Sequence, residues 1–230
     1  MGVVVRKVIL VLVGLVCISM GLLGCSSTTE AVVGKTLSAG GEFSCAGETS
    51  GTLFCWGSNE RGQIDVPDNL GKVIQVSTGV WHTCVLSDQG LVDCWGWNDY
   101  GQTDVPDNLG KVIQVSASGL YTCVLNVQGL VDCWGLQDDG PVDVPDNLGK
   151  VIQVSAGGYH TCVLSDQGLV DCWGRNSDGQ IDVPDNLGKV IQVSAGEYHT
   201  CVLSVQGLVD CWGWNDYGQT DVPMVLEKVN

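Results

Sequence analysis

Ten cysteines in this chain of 230 residues stand in five Cys-x9-Cys pairs: Cys45/Cys55, Cys84/Cys94, Cys123/Cys133, Cys162/Cys172 and Cys201/Cys211. Thiols at a fixed spacing can close cystines, ligate a metal, or stay free and buried. A nine-residue interval matches no common zinc knuckle, and Cys-x2-Cys is absent from the pattern. Hairpin geometry favours cystines. In CVLSDQGLVDC (84–94), the loop Asp88-Gln89-Gly90 joins two short strands, with Gly90 suited to the αL position of a bulged turn. That register sets Ser87 against Leu91, Leu86 against Val92, and Cys84 opposite Cys94. Directly opposed Cβ atoms lie about 4.5–5.5 Å apart, close to what a disulfide needs. Free thiols in a reducing compartment and metal ligation stay open as the other readings.

Other chemistry-bearing residues are less suggestive. His82, His160 and His199 share one repeat position, which Phe43 and Tyr121 fill in the other two units. Replacement by Phe and Tyr fits a packed ring better than a ligand set. The DVPDN turns pair carboxylates such as Asp104 and Asp107, but no calcium-loop pattern surrounds them, so a solvated turn is expected. Gly-x-Ser-x-Gly, Walker and His-Glu-x-x-His signatures are missing. Nothing in the sequence asks for a metal or a cofactor, and a non-enzyme is expected.

The cysteine pairs recur every 39 residues, as do Trp-Gly (Trp56, Trp95, Trp134, Trp173, Trp212) and a later Gly (Gly62, Gly101, Gly140, Gly179, Gly218). A period of this size marks a stacked-repeat or propeller architecture. In the unit Lys111–Gly149, KVIQVSA reads as a first strand. Leu120 to Asn126 and Leu130 to Trp134 read as the cystine hairpin, and Val142 to Val144 as a short outer strand ended by Pro145. The expected fold is therefore an all-β propeller of five 39-residue repeats, four strands to a blade, with a closed five-blade ring allowed by the count. The repeated Trp is expected to pack between blades and the Gly to meet backbone constraints.

Residues 1–24 read as an export signal: Arg6 and Lys7 precede the apolar run 8–23, which falls short of the roughly 20 residues of a membrane span. Cys17 leaves with this leader. Leu22-Leu23-Gly24-Cys25 resembles the lipobox of bacterial lipoproteins, in which the cysteine takes a diacylglycerol and becomes the mature amino terminus. The resemblance implies lipidation at Cys25, anchoring through more than one acyl chain, and export to a membrane such as the outer membrane or cell surface. An uncleaved signal anchor or a soluble secreted product are the alternatives. Residues 25–34 would be a short tether and 35–230 the propeller. The net charge of −16 grows more negative once Arg6 and Lys7 are lost, leaving 8 basic against 26 acidic residues. Such a surface repels nucleic acid and anionic lipid head groups alike, and favours, at most, a basic partner.

GGYHTCVLSDQGLVDCWGRNSDGQ (157–180) resembles the repeat of the regulator of chromosome condensation family, with its Gly, His-Thr, hairpin Gly, Trp-Gly, Asn and Gly-Gln. The likeness runs from 35 to 223. It implies a β-propeller, usually of seven longer blades; units near 39 residues look more like bacterial members, among them a secreted enzyme inhibitor. The sequence departs where the family's next Gly is Asp (Asp104, Asp182, Asp221), where Pro141 replaces Gln, and throughout the degenerate first hairpin, CAGETSGTLFC. Residues from Leu226 begin a sixth unit, Lys228-Val229 standing where Lys189-Val190 stands. The family's nuclear activities, nucleotide exchange on a small GTPase and chromatin binding, are not expected of an exported, acidic chain.

While VPDNLGKVIQVS recurs four times unchanged, three neighbouring positions vary. They hold Glu42/Trp81/Leu120/Tyr159/Tyr198, Ser58/Trp97/Leu136/Arg175/Trp214 and Arg61/Tyr100/Asp139/Asp178/Tyr217. Variable loop positions rich in large aromatics resemble binding hot spots rather than core. The candidate binding face is Trp81, Trp97, Tyr100, Tyr159, Arg175, Tyr198, Trp214 and Tyr217, for an unknown protein or glycan. Drift at tolerant loops, in a purely structural envelope protein, and inhibition of a secreted enzyme are the competing readings.

Overall fold

The computed structural model describes residues 36–138, 140–224 and 226, and contains fifteen strands there. The expectations for the leader, Cys25, the tether and Lys228-Val229 lie outside the described residues. In chain order the strands are β1 (Thr36–Ala39), β2 (Phe43–Gly47), β3 (Leu53–Gly57), β4 (Val73–Thr78), β5 (His82–Ser87), β6 (Val92–Gly96), β7 (Val112–Ala117) and β8 (Tyr121–Asn126). There follow β9 (Val131–Gly135), β10 (Val151–Ala156), β11 (His160–Ser165), β12 (Val170–Gly174), β13 (Val190–Ala195), β14 (His199–Ser204) and β15 (Val209–Gly213). They form five antiparallel sheets of three consecutive strands, one per repeat.

Each sheet is a blade with three strands, not four. Val142–Val144 is not a strand, and local turns explain why. The Asp143 amide donates to the Gly140 carbonyl at 3.1 Å and the Val144 amide to the Val142 carbonyl at 2.9 Å. Pro145 then has no N–H to offer, so the segment has little left for a ladder.

The cystine hairpin has the expected register. Leu86 faces Val92 and Cys84 faces Cys94. The Ser87 amide donates to the Leu91 carbonyl at 2.9 Å, while Gly90 takes φ +84°. Ser87 and Leu91 therefore form a hydrogen-bonded pair, which makes Cys84/Cys94, three rungs on, a non-hydrogen-bonded pair where strands approach closely. All five pairs close in this way: Cys45–Cys55, Cys84–Cys94, Cys123–Cys133, Cys162–Cys172 and Cys201–Cys211 are cystines with Cα atoms 4.1 Å apart. The free-thiol and metal-ligand readings of these ten residues fall with that pairing. The two halves of a bridge are not equivalent, which the sequence did not show. Cys45, Cys84, Cys123 and Cys162 lie on middle strands and are fully buried, whereas Cys55, Cys94, Cys133 and Cys172 lie on outer strands and are only partly covered.

The core lies between sheets. Cys84 and Leu86 of the second blade pack on Val112, Val115, Ala117 and Val124 of the third. First strands are also bridged by side chains. Gln75 gives Nε2 to the Val115 carbonyl at 2.9 Å and takes the Val115 amide on Oε1 at 3.0 Å. Gln114 and Gln153 repeat this across the next two interfaces. Middle strands β5, β8 and β11 are buried at every residue.

The terminal blades differ in a complementary way. In β2 the buried residues are Phe43, Cys45 and Gly47; in β14 they are Thr200, Val202 and Ser204, the opposite alternation. Each terminal blade is thus covered on one face only. Among the described residues the five blades form an open arc. Trp56, at 52% exposure, and Leu37, at 73%, lie bare on the first blade, against 7% for Trp173. The expected packing of the repeated Trp between blades fails at Trp56 for this reason: no blade precedes it among the described residues.

Gly96 shows how tightly blades are joined. It has φ +103°, and a Cβ there would sit 2.7 Å from the Trp81 carbonyl oxygen and 3.1 Å from Gln63 Cα of the preceding unit. Backbone atoms cannot swing aside, so Gly96→Ala is expected to cost about 3 kcal/mol or more, through strain and clash together. Urea denaturation of the variant would show it; an unshifted midpoint would refute the close approach.

Candidate functional site

At the end of the blades opposite the hairpin turns, three short segments meet. The first and second strands are joined by a turn that opens on a small residue: Gly79, Ser118, Gly157 or Gly196. A Cβ at Gly157 would lie 2.4 Å from the Gly196 carbonyl oxygen and 2.7 Å from the His160 ring. The first variable residue stands two positions after that opening residue. The second follows the Trp-Gly pair, and its amide donates back to the first. Trp97 N–H bonds the Trp81 carbonyl at 2.9 Å, Arg175 that of Tyr159 at 2.9 Å, and Trp214 that of Tyr198 at 2.9 Å. The ladder thereby places the two variable side chains of a blade side by side.

The third variable residue is set by a glutamine. Tyr100 N–H donates to Gln102 Oε1 at 3.0 Å, and Tyr217 N–H to Gln219 Oε1 at 3.0 Å. Asn98 closes the same turn: its Nδ2 reaches Asp104 Oδ1 at 2.7 Å, and its Oδ1 accepts from Thr103 N–H at 2.9 Å. Asp104 is therefore a clamp and not merely a solvated turn residue, as the sequence suggested. Gln63, Gln102 and Gln180 are fully buried, and their main-chain carbonyls hold the next blade. The Gln102 carbonyl accepts from Thr122 Oγ1 at 2.9 Å and Trp134 Nε1 at 3.0 Å. Pro141 does the same with its own carbonyl for Thr161 and Trp173, which explains why proline is tolerated there.

These constraints gather the predicted residues into two aromatic groups. Trp97 meets Trp81 edge-on at 4.9 Å and Tyr100 at 5.3 Å between ring centroids, with the Arg61 guanidinium 5.7 Å from its ring. Across the arc, Tyr159 stacks on Tyr198 at 5.8 Å, Tyr198 meets Trp214 at 5.8 Å, and Trp214 meets Tyr217 at 5.1 Å. Arg175 lies 5.5 Å from the Tyr159 ring and 5.7 Å from that of Tyr198, within cation–π range. The third blade supplies Leu120 and Leu136. Leu136 is only 6% exposed, so this variable residue is core after all. Tyr217 projects furthest, 85% exposed.

Between the groups lies a cavity of about 570 Å³, lined by Trp81, Leu120, Tyr159, Glu197 and glycine backbone. Burial first, then the Glu197 carboxylate beside it, push the Tyr198 phenol above its ordinary range. Sequence reasoning missed Glu197, whose place in the repeat is Gly158 in the unit before. The cystines do not line this cavity. Cys55, Cys133 and Cys172, on β3, β9 and β12, instead brace blades from their outer strands, each packed against the core of the interface its partner fills. Their place in the molecule is structural.

The histidines do not converge. His82 Nε2 pairs with Thr122 Oγ1 at 3.0 Å and His160 Nε2 with Thr200 Oγ1 at 2.8 Å, each spanning to the following blade. Tyr121 takes the same place and donates its hydroxyl to the His160 carbonyl at 2.5 Å.

The regulator of chromosome condensation (RCC1) repeat matches residues 35–63, 73–102, 151–180 and 190–219. No curated protein matches the chain by sequence. Among solved structures, human WBSCR16 is similar with TM-score 0.70 and 23% identity, covering 84% of this chain and 64% of that one. The ectodomain of the receptor kinase CR4 from Physcomitrella patens is similar with TM-score 0.67 and 27% identity, over 81% and 53%. Prp20p from Saccharomyces cerevisiae, described with its binding to Gsp1p and histones, gives TM-score 0.69 and 19% identity, over 83% and 60%. The chain thus spans 53% to 64% of the length of these proteins. Four matched repeats, each with the Trp-Gly pair and cystine hairpin described above, place it: the chain belongs to the regulator of chromosome condensation (RCC1) repeat family.

Proposed function

We propose that this chain is an exported, lipid-anchored and non-catalytic binding module of a bacterial envelope, whose aromatic loop face engages a protein or glycan partner. The observation that carries the reading is that the variable aromatics gather in two groups on one face, on either side of one cavity, while the unchanging residues hold the blades together. Large aromatics and arginine at the rim of a concave site are the groups that dominate binding energies. Prp20p, which has the same fold, is described by its binding to Gsp1p and histones, and this supports a protein partner. A secreted enzyme is one class of partner this face could occupy.

The net charge of −16 favours a partner that is basic around its contact. Trp97→Ala, Tyr100→Ala and Trp214→Ala together are expected to weaken capture of the partner from envelope extracts by roughly 100-fold or more, with the fold intact by circular dichroism. Unchanged capture by the folded triple variant would leave the purely structural role standing instead.

A further inference from the structure

Exposed hydrophobic residues are sorted by chemistry between the two ends of the blades. The loop end carries Trp81, Tyr100 and Tyr217. The hairpin end is aliphatic apart from Phe54 of the first blade: Leu91, Leu130 and Leu169 stand at the hairpin turns, 58% to 60% exposed, and Ile113, Ile152 and Ile191 beside the bulge that opens each first strand. All four described lysines, Lys72, Lys111, Lys150 and Lys189, are exposed at this same end, one before each of β4, β7, β10 and β13. Both described arginines are at the other. The chain also enters here. Thr36 pairs with Gly47, the last residue of β2 before its hairpin turn, so β1 starts at the hairpin end.

From these facts we infer that the hairpin end is a bilayer-contact face, seated on the membrane that holds Cys25 and turning the aromatic face outward. The inference rests on the lipid-anchoring reading above. Ten residues separate Cys25 from Thr36. Fully extended they reach at most about 36 Å, so an acylated Cys25 keeps this end within reach of the bilayer. The surface also lacks the tryptophan, tyrosine and arginine that mark protein interfaces, which the opposite face has in abundance. Lysines beside leucines and isoleucines suit the interface, their stems on the apolar layer and their amines in the head groups. Exposed Asp88, Asp166, Asp68, Asp107, Asp146 and Asp185 share the end, so it carries no positive excess. Contact is therefore apolar, needs no anionic lipid and resists salt.

The full chain, produced with its leader and reconstituted through its anchor into phosphatidylcholine vesicles, is labelled with a membrane-impermeant amine reagent and compared with Leu91→Ser/Leu130→Ser/Leu169→Ser. These leucines are exposed, so the variant keeps its fold. Lys72, Lys111, Lys150 and Lys189 are expected to react roughly fivefold more slowly in the parent chain, equally in low salt and at about 1 M salt. Equal labelling of parent and variant, with an acylated Cys25 peptide found in both, overturns the contact face and leaves the anchor standing. Protection lost at high salt overturns the apolar mode of contact. A Cys25 peptide without acyl mass, in a chain that fails to associate with vesicles, overturns the anchoring reading and the contact face with it.

Discussion

Reduction of the five cystines is expected to unfold the chain. Each closes a short hairpin loop and contributes about 2–3 kcal/mol by limiting the unfolded ensemble. Five such loops are separate in sequence, so their contributions add to about 10–15 kcal/mol, as large as the whole net stability of about 5–15 kcal/mol typical of a domain. The cystines also fill interfaces between blades. Cys84, Cys123 and Cys162 are completely buried, and the Cys84 sulfur lies 3.6 Å from Thr122 Oγ1 of the next blade. Loss of a single bridge therefore removes packing as well as a constraint. Thermal unfolding in the presence and absence of a phosphine reductant should differ by roughly 20 °C or more. The Cys201–Cys211 bridge of the last blade, the one pair with neither sulfur-bearing residue fully buried, should be reduced first. A reduced chain that melts at the oxidised temperature would mean that the blades hold without their staples.

Acid is expected to destabilise the chain through two histidines. Burial holds His82 and His160 down to about 4, from an ordinary 6.5, and for His160 the nearby His199 adds to it. Neutral in the fold at pH 6, these rings are protonated more readily in the unfolded chain. Their contribution is thus complete above about pH 6.5 and is lost as pH falls toward 4, with a limit of about 3 kcal/mol for each. The repeat supplies its own control, since Phe43 and Tyr121 occupy the same place in other blades. His82→Phe with His160→Tyr should flatten the fall in urea midpoint between pH 6.5 and 4 relative to the parent. The two proteins share every carboxylate, so the difference isolates the rings. Parallel curves would show that the rings are not buried as neutral groups.

Blade number, hairpin register and cystine pairing were legible because the repeat fixes them. A Gly three residues after Ser87 and a Cys on either side of the turn leave one sensible alignment. The unequal burial within a bridge, Cys123 enclosed and Cys133 only half-covered, was not, because it depends on which strand faces the next blade. The fourth strand was not legible either: Val142-Asp143-Val144 has strand-like composition, and only the turn hydrogen bonds at Gly140 and Val142 show the backbone spent elsewhere. Ring closure was beyond the sequence as well, because a repeat count says nothing of the turn per blade. The opposite burial of β2 and β14 is a property of three dimensions alone. For the site, variation against an unchanging frame picked out Trp81, Trp97, Tyr100, Tyr159, Arg175, Tyr198, Trp214 and Tyr217, all of which the structure brings to one face. Variation alone could not tell Leu136, which is buried, from its partly exposed counterparts. It also passed over Gln102, whose carbonyl links two blades while its side chain fixes Tyr100.

Occupation of the aromatic face in living cells is the most direct measure of the function proposed here. Hydroxyl-radical footprinting of the chain in intact cells, against the purified chain, reads it residue by residue. Trp81, Trp97, Tyr100, Trp214 and Tyr217 should be oxidised several-fold less in cells, while Trp56, exposed on the outer strand of the first blade, reacts equally in both. Equal oxidation of all six residues in the two samples would contradict a bound partner and leave the blades as scaffold alone.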